Sequence, residues 1–187
     1  MPAGIRIIGG RWRGTRIEVA DRRSLRPSAD RVRETLFNWL APVIDGAHCL
    51  DLFAGTGVLG FEAVSRGAAS ATLIEQDGAL ILALRRLAER LAADNVTVHR
   101  AEAQAWLATA PRPYDIVFVD PPFAAGLETR VLERLGGGWL APHALVYLEQ
   151  ARDAPDPSAP WSVRKCGRTR HVSYKLLERV ASEATIS

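Results

Sequence analysis

Between residues 48 and 149, short apolar runs alternate with helical patterns, and this alternation leaves the chain few folds. Cys49-Leu50-Asp51-Leu52-Phe53, Ala71-Thr72-Leu73-Ile74-Glu75, Val96-Thr97-Val98, Tyr114-Asp115-Ile116-Val117-Phe118-Val119 and the stretch 144–149 have the length and apolar content of strands. Helical patterns fall between them at 58–66, 77–93, 103–109 and 126–137. A strand joined to the next through a helix makes a crossover, so the two strands run parallel. A parallel sheet is covered on both faces, which accounts for the nearly continuous apolar run at 114–119. The expected fold is a Rossmann-like α/β sheet with helices on both faces.

The flanks add to this core. Residues 4–19 alternate apolar and polar around Gly9-Gly10-Arg11-Trp12-Arg13-Gly14, predicting a β-hairpin with arginines at its loop. A helix is expected from Ser28 as N-cap, with Val32, Leu36 and Leu40 along one face and Pro42 closing it. Residues 151–160, rich in Pro, Asp and Ala, predict a loop, and 161–166 and 172–180 two strands of an antiparallel hairpin at the sheet edge. The chain thus divides into a hairpin extension, 1–24, and an α/β domain of seven strands, 25–187.

Charge is unevenly placed along the chain. Residues 1–40 hold nine arginines against Glu18, Asp21, Asp30 and Glu34, and residues 161–180 hold six basic residues against Glu178. Basic flanks around a balanced centre suit a polyanionic partner, although a solvated arginine-rich surface has the same composition. Cys49 and Cys166 belong to no Cys/His cluster, so no zinc site, and no metal of any kind, is expected. The four histidines, His48, His99, His143 and His171, are scattered and receive no catalytic role. With no apolar run of membrane-spanning length and no leader-like start, the expected setting is the cytoplasm, without membrane contact.

The chemistry-bearing residues gather where the expected strands end. Asp51-Leu52-Phe53-Ala54-Gly55-Thr56-Gly57 turns the first strand into the next helix. Gly55 and Gly57 let the backbone turn tightly and approach a ligand, and Gly60 lets the helix pack closely on the sheet. The acid precedes the glycines, which suits the ammonium of S-adenosylmethionine better than a pyrophosphate. Glu75, about 20 residues on, can accept from both ribose hydroxyls. Its neighbour Asp77 is expected to cap the following helix. Glu102 and Ala103, after the third strand, can read an adenine edge, although a solvated glutamate fits the pattern too.

Asp120-Pro121-Pro122-Phe123 follows the most apolar strand, which must stop there because neither proline can donate to a ladder. Asp120 and the Pro121 carbonyl can accept from the two N–H groups of an exocyclic amine, while Phe123 can stack on the base, worth roughly 1–3 kcal/mol. Held so, the nitrogen lone pair is aimed for in-line displacement, and positioning is the main catalytic effect.

Together these features resemble the amino-group methyltransferases marked by [D/N]-P-P-[F/Y/W]. Arg6-Ile7-Ile8-Gly9-Gly10, Arg26-Pro27, the run from Asp30-Arg31-Val32-Arg33-Glu34 to Leu40, Leu59-Gly60-Phe61-Glu62-Ala63 with Ser65-Arg66-Gly67, and 116–123 look like the RsmD family. The resemblance implies a class I methyltransferase sheet with an N-terminal hairpin, S-adenosylmethionine as cofactor, and methylation of one guanine N2 in 16S ribosomal RNA. It also implies the assembled small-subunit particle, RNA and proteins, as partner. On that reading Asp51, Phe53, Ala54, Gly55, Gly57, Glu75, Gln76, Glu102, Ala103 and Asp120 contact the cofactor, and Asp120, Pro121 and Phe123 the target base. Two positions depart from the family pattern: Ala29 stands where a threonine is usual, and Glu102 where relatives carry Asn or Asp.

RNA contact is expected from Arg11, Trp12 and Arg13 in the hairpin loop, an aromatic between cations. Arg31 and Arg33 fall on different helix faces: one can reach phosphate or the cofactor carboxylate while the other pairs with Asp30 or Glu34. Local chemistry alone leaves guanine N2 and adenine N6 both open as targets. An adenine-N6 DNA methyltransferase would need a target-recognition domain for which this length has no room. A glutamine-N5 protein methyltransferase would carry Asn at 120. A non-catalytic RNA-binding assembly factor would not need Asp51, Gly55, Gly57, Glu75 and Asp120 together. A monomer is expected, because no apolar interface stripe stands out.

Overall fold

The computed structural model describes residues 4–18, 27–122 and 126–180, with residues 27–29 described for their backbone alone. Strands β1 (Gly4–Arg6) and β2 (Arg16–Glu18) precede helix α1 (Pro27–Leu40). Then come β3 (His48–Asp51), α2 (Val58–Ser65), β4 (Ser70–Glu75), α3 (Gly78–Arg90), β5 (Val96–Arg100), α4 (Ala103–Trp106) and β6 (Tyr114–Val119). Helix α5 (Leu127–Leu135) and strands β7 (Leu140–Ala151), β8 (Trp161–Arg168) and β9 (Val172–Arg179) complete the order. No described helix is long and apolar enough to cross a membrane.

Seven strands pair in the order β5-β4-β3-β6-β7-β9-β8, and β1 and β2 form a separate antiparallel pair. β5, β4, β3, β6 and β7 are mutually parallel, while β9 runs antiparallel between β7 and β8. The chain winds outward from β3 to β5, then returns to build β6 and β7 on the other side. The crevice beyond the carboxyl ends of β3 and β6 is therefore a topological switch point, the place where open α/β sheets bind ligands.

The two sheet faces bury different side chains. Cys49, Ala71, Leu73, Ile116, Phe118 and Tyr147 pack with Phe37 of α1, Phe61 of α2 and Leu84 of α3. Leu50, Leu52, Ile74, Val117, Val119, Val146 and Leu148 pack with Ala103 of α4 and with Leu127, Val131 and Leu135 of α5. The one-residue alternation along each strand assigns these two sets.

The expected elements are present, with adjusted ends. α1 begins at Pro27, so Ser28 lies within its first turn instead of capping it. Proline suits that first position, where its missing N–H has no helical partner anyway. β7 starts four residues before the expected 144, because the strand continues through Pro142 and the left-handed His143 (φ 62°) at a register shift.

The hairpin is joined firmly to α2. The fully buried Glu62 accepts from the Ile8 N–H at 2.7 Å, the Gly9 N–H at 2.8 Å and Arg66 Nε at 2.7 Å. Ser65 Oγ accepts from the Trp12 N–H at 2.9 Å and donates to the Gly9 carbonyl at 2.6 Å. Gly10 (φ 76°) must be glycine, since a Cβ there would lie 1.7 Å from the Ser65 carbonyl oxygen. Ile7 and Ile17 enter the same core as Phe37 and Phe61.

Gly57, the left-handed N-cap of α2 (φ 77°), lies under Leu84 and Phe61, whose nearest atoms are 2.4 and 2.9 Å from where a Cβ would sit. Gly57→Ala is expected to cost about 2–4 kcal/mol from overpacking plus the left-handed penalty, read as a lower urea midpoint. Gly60 lets α2 rest on Leu73, 2.8 Å from its would-be Cβ.

Candidate active site

Each parallel strand delivers a carboxylate near its carboxyl end: Asp51 and Glu75 as the last residues of β3 and β4, Glu102 and Asp120 just beyond β5 and β6, and Glu149 two residues before the end of β7. In-register pairing brings these strand ends to one edge of the sheet.

Asp51 is buried beneath the turn it opens, at 2 % exposure. It accepts the backbone N–H groups of Phe53 and of Gly60 in the first turn of α2, whose N-cap has no side-chain partner. Its Oδ1 has no partner among the described residues. Burial pushes the Asp51 carboxyl up to about 7; the Phe53 and Gly60 N–H groups oppose that shift and the charge of Glu75 adds to it.

The sign of the linkage follows. A carboxyl raised on folding contributes stability that is complete below its unfolded value near 4 and lost as pH rises through about 7. The stability of Asp51→Asn relative to the parent should therefore rise between pH 4 and pH 8, by on the order of 3 kcal/mol. Paired urea melts at the two pH values measure this; a constant difference would contradict the burial of the charge.

Glu75 ties the glycine turn to the neighbouring strand. One oxygen accepts from Gly55 N–H at 2.8 Å, and the other from Gln76 and Asp77 N–H at 2.8 and 2.9 Å. A carboxylate has about four acceptor directions, so these bonds leave capacity for hydroxyl donors. Gly55 (φ 52°) has only the Phe53 carbonyl, 3.9 Å away, near its would-be Cβ, leaving an open face for a ligand. Phe53 is half-buried and Ala54 buried beside it. Asp77 caps α3, accepting from Ala79 and Leu80 N–H at 2.7 and 3.0 Å. Glu102 is exposed and caps α4 through Ala105 N–H at 3.1 Å, so its carboxylate is occupied by the helix start; Ala103 is buried beneath it.

Asp120 stands at the edge with Pro121 buried behind it, while Phe123 lies outside the described residues. The protein packed around the strand end raises the Asp120 carboxyl well above the usual range even though the residue stays exposed, and the charges of Glu149 and Asp51 raise it further. Glu149 received no role from the sequence. It is half-buried, and Tyr147 donates to its Oε2 at 2.9 Å. Its signal is its place, near the carboxyl end of a parallel strand, two residues before β7 stops at Ala151.

The structure gives Trp12 and Arg33 packed settings, and of the two helix arginines Arg33 is the one that pairs with Asp30. Trp12 is half-buried against Phe61 (ring centroids 6.3 Å apart), with the Arg11 guanidinium 4.2 Å from its ring centroid, and it helps anchor the hairpin. Arg33 is buried at 4 % exposure, donating to the Arg6 carbonyl at 2.6 Å and to Asp30 at 3.2 Å, so it fastens the hairpin to α1 and is not free to reach RNA. Arg11, Arg13 and Arg31 are exposed.

Residues 5–177 match the family model described as conserved hypothetical protein 95. The ribosomal RNA small subunit methyltransferase D of Escherichia coli K12 is 49 % identical over 180 residues, 95 % of this chain and 91 % of that protein. The protein of that name from Haemophilus influenzae is 40 % identical over 183 residues, 93 % of each chain. The solved structure of yhhF from Escherichia coli superposes with a TM-score of 0.89 at 49 % identity, covering 96 % of this chain and all of that one.

Proposed function

The chain belongs to the conserved hypothetical protein 95 family, and from that membership we infer that it methylates small-subunit ribosomal RNA with S-adenosylmethionine, at the N2 of a guanine in the assembled 30S particle. The observation that carries this reading is the convergence of Asp51, the Gly55–Gly57 turn, Glu75 and Asp120 on the switch point between β3 and β6. The names of the chain's relatives support the ribosomal substrate.

The residues present fit the cofactor. The unpartnered Oδ1 of the buried Asp51 suits an ammonium group, which would also offset the cost of an ionised carboxyl there. Glu75 has acceptor capacity for ribose hydroxyls, and the open face of Gly55 admits close backbone approach. When bound, the cofactor supplies an electrophilic methyl group on a sulfonium. Phe53, Ala54, Gln76 and Ala103 would line the rest of its length.

The chain's own residues then act on the base. Asp120 accepts one N–H of the target amine and the Pro121 carbonyl the other, which orients the nitrogen lone pair; Phe123 supplies the stacking plane. A raised Asp120 carboxyl is also a competent acceptor for the proton the amine sheds. The hairpin extension, 1–24, with Arg11 and Arg13, and α1 with Arg31, present cations for RNA phosphate, in the cytoplasm and as a monomer.

The test is labelled methyl transfer to small-subunit particles from cells lacking the endogenous enzyme, followed by nucleoside analysis. N2-methylguanosine is the expected product; N6-methyladenosine would overturn the reading.

A further inference from the structure

We propose that Glu149 is a specificity residue that accepts the N1–H of the target guanine while Asp120 accepts from its N2 amine, so that two adjacent carboxylates select a base edge carrying two adjacent donors. This rests on the guanine-N2 reading above and explains how the site would enforce it.

The placement comes from the sheet. β6 and β7 pair in parallel with Val119 opposite Leu148, so Asp120, the first residue beyond β6, lies beside Glu149, which sits two residues before the end of β7. Strand neighbours are about 5 Å apart. Val119 and Leu148 enter the core on the α5 face, while Phe118 and Tyr147 enter the α1 face. By the two-residue period, Asp120 and Glu149 both belong to the α1 face, the side on which Asp51 also lies.

Glu149 is held in place. Tyr147, fully buried beside Phe118, sends its hydroxyl to Glu149 Oε2 at 2.9 Å. Among the described residues, neither Glu149 nor Asp120 has a cation within salt-bridge distance, and Asp120 accepts no hydrogen bond. Burial raises the Glu149 carboxyl, with the Tyr147 hydroxyl opposing; the protein packed around Asp120 raises its carboxyl, and the charges of Glu149 and Asp51 add to that. Among the described residues Glu149 accepts from Tyr147 on one oxygen and Asp120 from no donor, so both acids keep acceptor capacity for a ligand.

The bases differ in what they offer. Guanine presents N1–H beside its N2 amine, two donor groups in a row. Adenine presents its N6 amine beside N1, and cytosine its N4 amine beside N3, and each of those ring nitrogens is an acceptor. A carboxylate facing a ring acceptor sets lone pair against lone pair and leaves a half-buried charge unpaired, a strong basis for rejection. Asp120 alone distinguishes none of these amines; Asp120 with Glu149 admits guanine.

The experiment uses small-subunit particles whose methylated position has been mapped with the parent enzyme, rebuilt with either guanine or 2-aminopurine at that position. 2-Aminopurine keeps the N2 amine and replaces N1–H with an acceptor. The parent should show kcat/KM about 100-fold lower on 2-aminopurine. Glu149→Gln should lose about 100-fold on guanine and little on 2-aminopurine, so that discrimination collapses. Tyr147→Phe, which removes only the hydroxyl that fixes Glu149, should lower discrimination with a smaller loss on guanine. Melting temperature and cofactor affinity are measured alongside. If Glu149→Gln slows both substrates equally, or keeps the parent's discrimination, Glu149 does not read the base. The parent's product separates the two claims: N2-methylguanosine with unchanged discrimination sinks the Glu149 role alone, and any other product sinks both.

Discussion

Asp120→Ala is expected to lower methyl transfer about 10³-fold while leaving cofactor affinity nearly unchanged. The substitution removes an acceptor at the end of β6 without disturbing the glycine turn, whose bonds run to Asp51 and Glu75. Asp120→Asn keeps one acceptor oxygen in place and should retain more activity than alanine. The pH profile separates charge from shape. The protein packed around the strand end and the neighbouring Glu149 and Asp51 raise the Asp120 carboxyl, so the acidic limb of the parent's profile should lie above the ordinary carboxylate range. Activity falls as pH drops through that limb, because the protonated acid no longer accepts on that oxygen; in Asp120→Asn the limb should disappear. Single-turnover methylation across pH, with cofactor binding by calorimetry, checks both expectations. Full turnover by the alanine variant would remove Asp120 from the mechanism.

The second large effect concerns stability. Glu62→Ala is expected to destabilise the fold by about 3–5 kcal/mol, because it strands buried partners rather than merely deleting a contact. The Ile8 and Gly9 N–H groups and Arg66 Nε lose their acceptor, and Arg33, 3.8 Å away, loses a counter-charge in the interior. For a chain of this length the melting temperature should fall by roughly 8–15 °C. Exchange of the Ile8 and Gly9 amide hydrogens should accelerate more than that of amides in β6. Uniform loss of protection would mean that the hairpin and the sheet unfold as one unit.

Much of the α/β architecture was legible because its signals are local. The apolar run 114–119, the glycine turn at 55–57 and the proline stop at 121–122 each fix strand ends through backbone chemistry. Asp51, Glu75 and Asp120 were legible as strand-end acids. Glu149 lies near the end of its strand but still inside it, and carries no flanking glycine or proline to set it apart. The packed settings of Arg33 and Trp12 were not legible, for a different reason. Arginine and tryptophan look the same in a sequence whether they face water or fasten two segments, and their partners Glu62 and Phe61 lie far along the chain. Long-range burial of a charge cannot be read from local periodicity.

The position of β9 bears on how the chain is made. Among the described residues β8 pairs with β9 alone, and β7 pairs with β9 rather than with β8, so β8 is synthesised before the strand it joins. Until residues 172–179 leave the ribosome, the growing polypeptide presents the free edge of β7 and an unpaired β8. Such edges recruit other chains. A chain interrupted before residues 172–179 would therefore be aggregation-prone rather than a trimmed enzyme, because the β7 edge and β8 both wait on that one strand.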